Sequence, residues 1–411
     1  MITRFLLFAL LAFTLWQCQP QKPSVDDIQI DEEMYAQLQE QLILAQPGDV
    51  IEIPAGTFEF DRPLSLDGIA NVTIRGAGMN ETVLSFKGQK VGAEGLRITA
   101  DSVTIEDLSV LDTKGDCIKI QDSRGVTIRN VKTAWSYGAL ESNGGYGIYP
   151  VVCTNVLIEN CEAAFASDAG IYVGQSTNVI VRNSYAHENV AGIEIENCIN
   201  AEVYENRAEQ NTGGILVFDL PDLEVVNGHS CRVYNNKIIE NNHKNFAPKG
   251  NIVGIVPPGT GIILLAAKKV EVSDNEIIGH KTFGTAIASY QITQNPWDSE
   301  AYDPYSYDVY IHGNTYERKR AIPDLTRDFG KMVNIVFTGK PQDILYDGIT
   351  DGQRSGTNPM NICIRQSGED LRFANVDAAH DFENVETDVS LYNGKGQAIP
   401  AVSFERETSS R

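Results

Sequence analysis

Residues 156–195 read VLIENCEAAFASDAGIYVGQSTNVIVRNSYAHENVAGIEI, and two phrases return within them in the same order. One is a β-branched run that closes on asparagine: Val156-Leu157-Ile158-Glu159-Asn160, then Val179-Ile180-Val181-Arg182-Asn183. The other is glycine followed by apolar-x-apolar: Gly170-Ile171-Tyr172-Val173, then Gly192-Ile193-Glu194-Ile195. Working outward, the glycine phrase recurs at Gly147-Ile148-Tyr149-Pro150, Gly214-Ile215-Leu216-Val217 and Gly261-Ile262-Ile263-Leu264, and the asparagine phrase at Val126-Thr127-Ile128-Arg129-Asn130. Aligned on the asparagine, the column is Asp107, Asn130, Asn160, Asn183, Asn206, Asn236, Asn275 and Asn314, with spacings of 23, 30, 23, 23, 30, 39 and 39. A base period near 23 with larger insertions is the mark of a solenoid.

Helical repeats do not fit these segments, which alternate with period two, are rich in Val, Ile and Thr, and are punctuated by Gly and Asn. Three short strands and three turns fill about 23 residues, so each repeat is one coil, stacked on the next at about 4.8 Å. The expected fold is all-β, a single-stranded parallel β-helix. Asparagine suits the column because it tolerates left-handed backbone, and its amide can both donate to and accept from identical neighbours on adjacent coils.

An open end of such a stack is a sheet edge that needs a cover. Asp31 to Ala45 supplies one, with Met34, Leu38, Leu42 and Ile43 at helical spacing and Pro47-Gly48 as the stop. This helix, followed by PGDVIEIPAGTF (47–58), resembles the N-terminal cap of bacterial right-handed parallel β-helix proteins of the pectin-lyase-like superfamily. The coils after it resemble the parallel β-helix repeat lipoproteins of that group. The resemblance covers about residues 30–316 and implies a right-handed helix. It is specific for fold and weak for activity, because the architecture hosts lyases, hydrolases, epimerases and non-enzymatic proteins. The reading divides the chain into a signal (1–17), a tether (18–30), the β-helix with its cap (31–316), and an irregular C-terminal cap and tail (317–411) whose last residues, 405–411, are expected to be disordered.

With 55 acidic and 33 basic residues among 411, the chain carries a net charge of −22. That argues against nucleic acid or an anionic membrane face as partner. Arg4, the apolar run Phe5 to Trp16 and then Cys18 resemble a bacterial lipoprotein signal, which implies lipidation of Cys18 and a place in the cell envelope, with plain secretion as the alternative. The other six cysteines fit no metal or redox spacing and read as buried thiols in a monomeric chain.

By analogy with the superfamily, the asparagine turn lies between the second and third strands of a coil, so the Gly-Ile strands form the first sheet, where that family's enzymes carry their cleft. Insertions at 135–146, 219–230, 243–260 and 291–307 border this sheet and would make its outer face a groove. Trp135, Tyr137, Tyr146, Trp297 and Tyr305 lie in them and are candidates for stacking on sugar rings. With the isoleucines inward, period two turns Lys119, Tyr149, Tyr172 and Glu194 outward on successive coils. Asp168 precedes one of these strands, and Glu196 follows Glu194 on the same face. Tyrosine, lysine and paired carboxylates are what proton abstraction beside a sugar carboxylate requires. Asp168, Glu194 and Glu196 could also hold Ca²⁺ through oxygens, and the Glu-x-Glu pair resembles the calcium site of β-helical alginate and chondroitin lyases. The expected role is to bind an extracellular polysaccharide along the first sheet and, if catalytic, to act as a uronate lyase or C5-epimerase. The alternatives are a non-catalytic envelope scaffold that docks a protein or glycan, and glycoside hydrolysis by Asp168 and Glu194. The six histidines form no ligand-spaced pair and read as surface or turn residues.

Overall fold

A computed structural model describes residues 28–404, except 320, 326–327 and 367–369. The leader, Cys18, most of the tether and residues 405–411 lie outside the described residues.

From Val50 onward the chain winds as stacked coils. One coil runs Tyr146–Val151, Thr154–Glu159, Glu162–Ala164; the next runs Ala169–Gly174, Thr177–Arg182, Tyr185–His187. Strands of successive coils pair in parallel, so Ile148 sits beside Ile171, Val156 beside Val179, and Ala163 beside Ala186. The Gly-Ile strands make one sheet of eleven, and the second and third strands of each coil join in another of nineteen. The asparagine turn separates second from third strand, as expected. Inward side chains stack in columns: Ile118, Ile148, Ile171, Ile193, Ile215 and Ile262 are all fully buried. At the next coil Thr285 takes the position beside Ile262. Its hydroxyl stays satisfied inside the core by Tyr316 Oη at 2.9 Å.

The aligned asparagine column proves to be two columns one residue apart. Asp107, Asn130, Asn160 and Asn183 have φ of +50 to +58°, and their counterparts on later coils are Glu205, Asn235 and Asp274. Asn206, Asn236, Asn275 and Asn314 sit one position further on, below Ser184 and Cys161, and form the internal ladder. Each Nδ2 donates to the next Oδ1 at 2.9–3.1 Å, and each also donates to a carbonyl of the preceding coil. The slip arises because the Asn183 coil is 22 residues from its successor at this turn, not 23. A second ladder, Asn189–Asn211–Asn241, stacks at the turn before the first sheet. It ends on His280 Nε2, 3.2 Å from Asn241 Nδ2. His280 is therefore buried as a neutral acceptor rather than surface-bound, and burial pushes its pKa down to about 3.

The ends are covered. Helix α1 (Glu32–Leu44) lies over the first coil with Leu38 and Leu42 buried, while Ile43 faces solvent. Its Gln39 amide accepts from Ser65 N at 2.9 Å and donates to Ser65 O at 3.1 Å, standing in for the missing strand at that edge. At the far end the stack continues past residue 316. Gln342–Tyr346 and Phe373–Asn375 extend the first sheet, and Cys363–Arg365 extends the second. Long insertions, including helix α2 (Asp328–Val336), hide the period there. Asn375 then exchanges both backbone hydrogen bonds with Glu386 in an antiparallel bridge that closes the edge. The six described cysteines are all buried and unpaired.

Candidate functional site

The isoleucine columns fix which residues face outward on the first sheet. Lys119 lies beside Tyr149, Tyr172 beside Glu194, and Glu194 beside Leu216. One step along the strands, Gly174 lies beside Glu196 and Glu196 beside Phe218. Three tyrosines close over this row. The ring centres of Tyr146, Tyr149 and Tyr172 are 4.5–5.0 Å apart pairwise, and the Lys119 ammonium sits 5.3 Å from the Tyr149 ring centre. Lys119, Tyr146 and Tyr149 are half-buried and form the rim.

Behind that rim lie carboxyl groups withdrawn from water. Glu194 is 1% exposed, Asp168 5% and Glu196 7%. Tyr172 donates its phenol to Glu196 Oε1 at 2.6 Å. Asn251, from the loop before the Thr260–Leu265 strand, donates to Asp168 Oδ2 at 2.9 Å. Both oxygens of Glu194 are buried without a hydrogen-bond partner. Burial disfavours the charged form of each acid. It pushes Glu196 up to about 7, with the Tyr172 hydrogen bond acting in the opposite sense. Asp168 also rises to about 7, through burial and then the neighbouring Glu196. Glu194 stands well above the usual carboxylate range through burial, Asp168 and Glu196, and Asp116 beside the rim rises to about 6. At about 7, Asp168 and Glu196 are matched to general acid–base chemistry near neutral pH.

Lys119, Tyr149, Tyr172, Glu194, Asp168, Glu196 and Tyr146 are thus brought together on neighbouring coils. The remaining aromatic candidates are not. Trp135 is buried in the solenoid core, where its Nε1 donates to Thr113 O at 2.7 Å, so it offers no face to a sugar. Tyr137 lies near Lys87, whose ammonium is 5.9 Å from its ring centre. Trp297 packs edge-on against Tyr290 and Tyr302, and the Tyr305 hydroxyl accepts from Gln291 at 3.2 Å. The last two fold onto their own insertion.

The expected open groove is also covered over much of its length. Beyond Glu194 the outward residues become Leu216, Ile263, Ala286 and Leu345. A second apolar cluster buries them under the insertions and α2. The 243–259 loop is held in shape by Asn245, whose amide donates to Val253 O and Val256 O. Sequence reading missed Asn251, which has no distinguishing pattern around it, and Lys268, which neutralises Asp219 at 2.6 Å across 49 residues. Asp116 was within reach, because aligning the coils on Ile118 and Ile148 sets it beside Tyr146.

Of the oxygens expected to hold Ca²⁺, Glu196 Oε1 and Asp168 Oδ2 accept from Tyr172 and Asn251, while both Glu194 oxygens have no hydrogen-bond partner. Among the described residues no group of three or more His, Cys, Asp or Glu side chains is arranged to hold a metal ion.

Residues 94–256 and 137–315 match the family model described as "Right handed beta helix region". No curated protein matches the sequence. Among solved structures, the A-module of a mannuronan C-5 epimerase from Azotobacter vinelandii is similar at 15% identity, over 83% of this chain and 91% of that one, with a TM-score of 0.51. An alginate lyase from Paenibacillus sp. is similar at 15% identity over 69% and 96% of the two chains, TM-score 0.45. An exopolygalacturonase from Thermotoga maritima follows at 14% identity over 70% and 83%, TM-score 0.44. At such identities the likeness is one of fold.

Proposed function

The chain belongs to the right-handed β-helix family, and on that premise we propose that it binds a glycan at the Lys119–Tyr149–Tyr172 rim and acts on it by proton transfer. The observation that carries this reading is the Tyr172–Glu196 hydrogen bond beside Asp168 and Glu194, three acids buried together, of which Asp168 and Glu196 rise to about 7 and Glu194 is pushed up by burial. Tyr172 and Glu196 form a proton-passing pair, and Glu194, whose carboxyl burial biases toward the neutral form, would be the donor to a departing sugar oxygen. Lyase or C5-epimerase chemistry on a uronate would use the pair as base and acid, with Lys119 facing the sugar carboxylate. Charge favours hydrolysis of an uncharged glycan instead, because four buried acids (Asp168, Glu194, Glu196, Asp219) and the half-buried Asp116 lie along this sheet and Lys268 is already committed to Asp219. A second reading, a non-catalytic envelope scaffold, is favoured by the depth of the carboxylates beneath the 243–259 loop.

The test is incubation of purified protein with uronate polymers and neutral glucans, with and without Ca²⁺. Unsaturated-product absorbance, C5 inversion by proton NMR and new reducing ends separate the three chemistries. Tyr172→Phe is expected to lower turnover by about 10²-fold or more, with the fold intact by circular dichroism. No turnover across the panel, or equal turnover by Tyr172→Phe, would refute the catalytic reading.

We also propose export with a lipid anchor on Cys18, acting as a monomer. Expressed in a bacterium, the wild type is expected in the membrane pellet and Cys18→Ala in the soluble fraction; identical partitioning would exclude the anchor.

A further inference from the structure

Directly beyond the acids, the same outward face roofs over into a cavity of about 350 Å³. Its floor is built from Phe218, Ile263, Leu265, Ala286 and Leu345, outward residues of four consecutive coils. Its other walls come from four separate segments: Val256 and Pro257 of the 243–259 loop, Ile292, Phe329 of α2, and Val376 with Phe382. The floor begins one coil step from the carboxylates, since Phe218 is the strand neighbour of Glu196 and Leu216 that of Glu194. The lining is almost wholly hydrocarbon. Asp347 is a polar exception, and its two oxygens are already engaged by Ser289 N at 2.6 Å and Ile349 N at 3.0 Å.

Close-packed interiors rarely keep voids much larger than a water molecule, and an apolar void stays dry and accepts apolar guests. Four coils at about 4.8 Å per step make a floor about 14 Å long, the reach of a medium-length alkyl chain rather than a single ring. A purely polar polysaccharide would leave this part of the sheet unused.

We propose that the cavity holds an alkyl or acyl chain carried by the glycan, so that the ligand is an amphiphilic saccharide with its sugar at Tyr172 and Glu196 and its chain over Ala286. This deepens the glycan reading above and rests on it for the sugar end only. A chain lies along the coils without needing a hydrogen-bond partner, which is what the lining offers. Extension of the chain removes further apolar surface from water at each carbon.

The test is calorimetric titration of the full chain with a series of n-alkyl β-glucosides from methyl to decyl, each below its micelle concentration. Affinity is expected to rise about 3- to 4-fold per added carbon until the chain fills the cavity. Ala286→Trp, which occupies the space, is expected to flatten that rise while keeping the unfolding midpoint at or above wild type. Should Ala286→Trp fail to fold, Leu345→Phe narrows the same floor and is read in the same way. Affinity independent of chain length in the wild type overturns the proposal, as does a rise that both variants leave unchanged. A flat series alongside turnover of plain oligosaccharides refutes the chain site and leaves the proton-transfer reading standing. A rising series without turnover anywhere in the panel does the reverse.

Discussion

Lys268→Met is expected to destabilise the fold by about 3–5 kcal/mol, measured by chemical denaturation at pH 7.5. The Lys268 and Asp219 side chains are 3% and 2% exposed, and Nζ lies 2.6 Å from Oδ2. The ammonium also donates to Ala266 O at 2.7 Å and lies 5.4 Å from the Tyr302 ring centre. Asp219 in turn accepts from Gly228 N at 2.8 Å, and its carbonyl accepts from Tyr302 Oη at 2.6 Å. The pair thereby pins two insertions where the first-sheet strand leaves for the next turn. Methionine fills much of the volume but leaves Asp219 as a lone buried anion, already raised by desolvation even with its partner present. Removing both charges, as Lys268→Met with Asp219→Asn, is expected to recover most of the loss, because the penalty belongs to the unpaired charge. A single-variant loss under about 1 kcal/mol, or a double variant no better than the single, would contradict this account.

Acidification from pH 8 to pH 6 is expected to raise the unfolding free energy by on the order of 3 kcal/mol. Asp168, Glu196 and Asp347 are each pushed up to about 7 by burial, from ordinary values near 4. Between those limits the folded chain holds protons that the unfolded chain has released, so stability falls as pH rises through 7 and is regained as it drops. His280 acts in the opposite sense only below about 6.5, because its depressed pKa of about 3 makes the unfolded state the better proton binder there. The window above 6.5 therefore reports the acids. Glu196→Gln keeps an acceptor for the Tyr172 phenol while removing the charge, so it is expected to melt higher than wild type at pH 8, with a shallower pH slope and without turnover. A wild-type midpoint that is flat or falls from pH 8 to 6 would be inconsistent with buried, ionising acids at this site.

How far each of these features could be read from the sequence depends on how local its cause is. The coils and the outward row Lys119–Tyr149–Tyr172–Glu194 follow from period two and the glycine phrase, both visible within 25 residues. The asparagine column was misaligned because two adjacent turn positions both favour Asn and one coil is a residue shorter. The C-terminal coils escaped notice because insertions separate Gln342–Tyr346 and Phe373–Asn375 from the pattern. The covering of the groove was beyond reach, since it depends on where loops 243–259 and 291–307 fold back, and Trp135 and Trp297 look alike in sequence whether they face sugar or core. The Lys268–Asp219 and Asn251–Asp168 contacts join residues 49 and 83 positions apart, with nothing local to announce them.

Stacked asparagines at the turns, Asn206–Asn236–Asn275–Asn314 and Asn189–Asn211–Asn241, hold the coils of this region in one repeating register, so a whole turn is the natural unit of change here. Adding or deleting one between the Glu194 and Ile263 strands would move the hydrocarbon chamber relative to the acids by one fixed increment of about 4.8 Å, with little change at either end. The molecule is in that sense a calibrated gauge. The separation between the acids and the chamber is set by a whole number of coils.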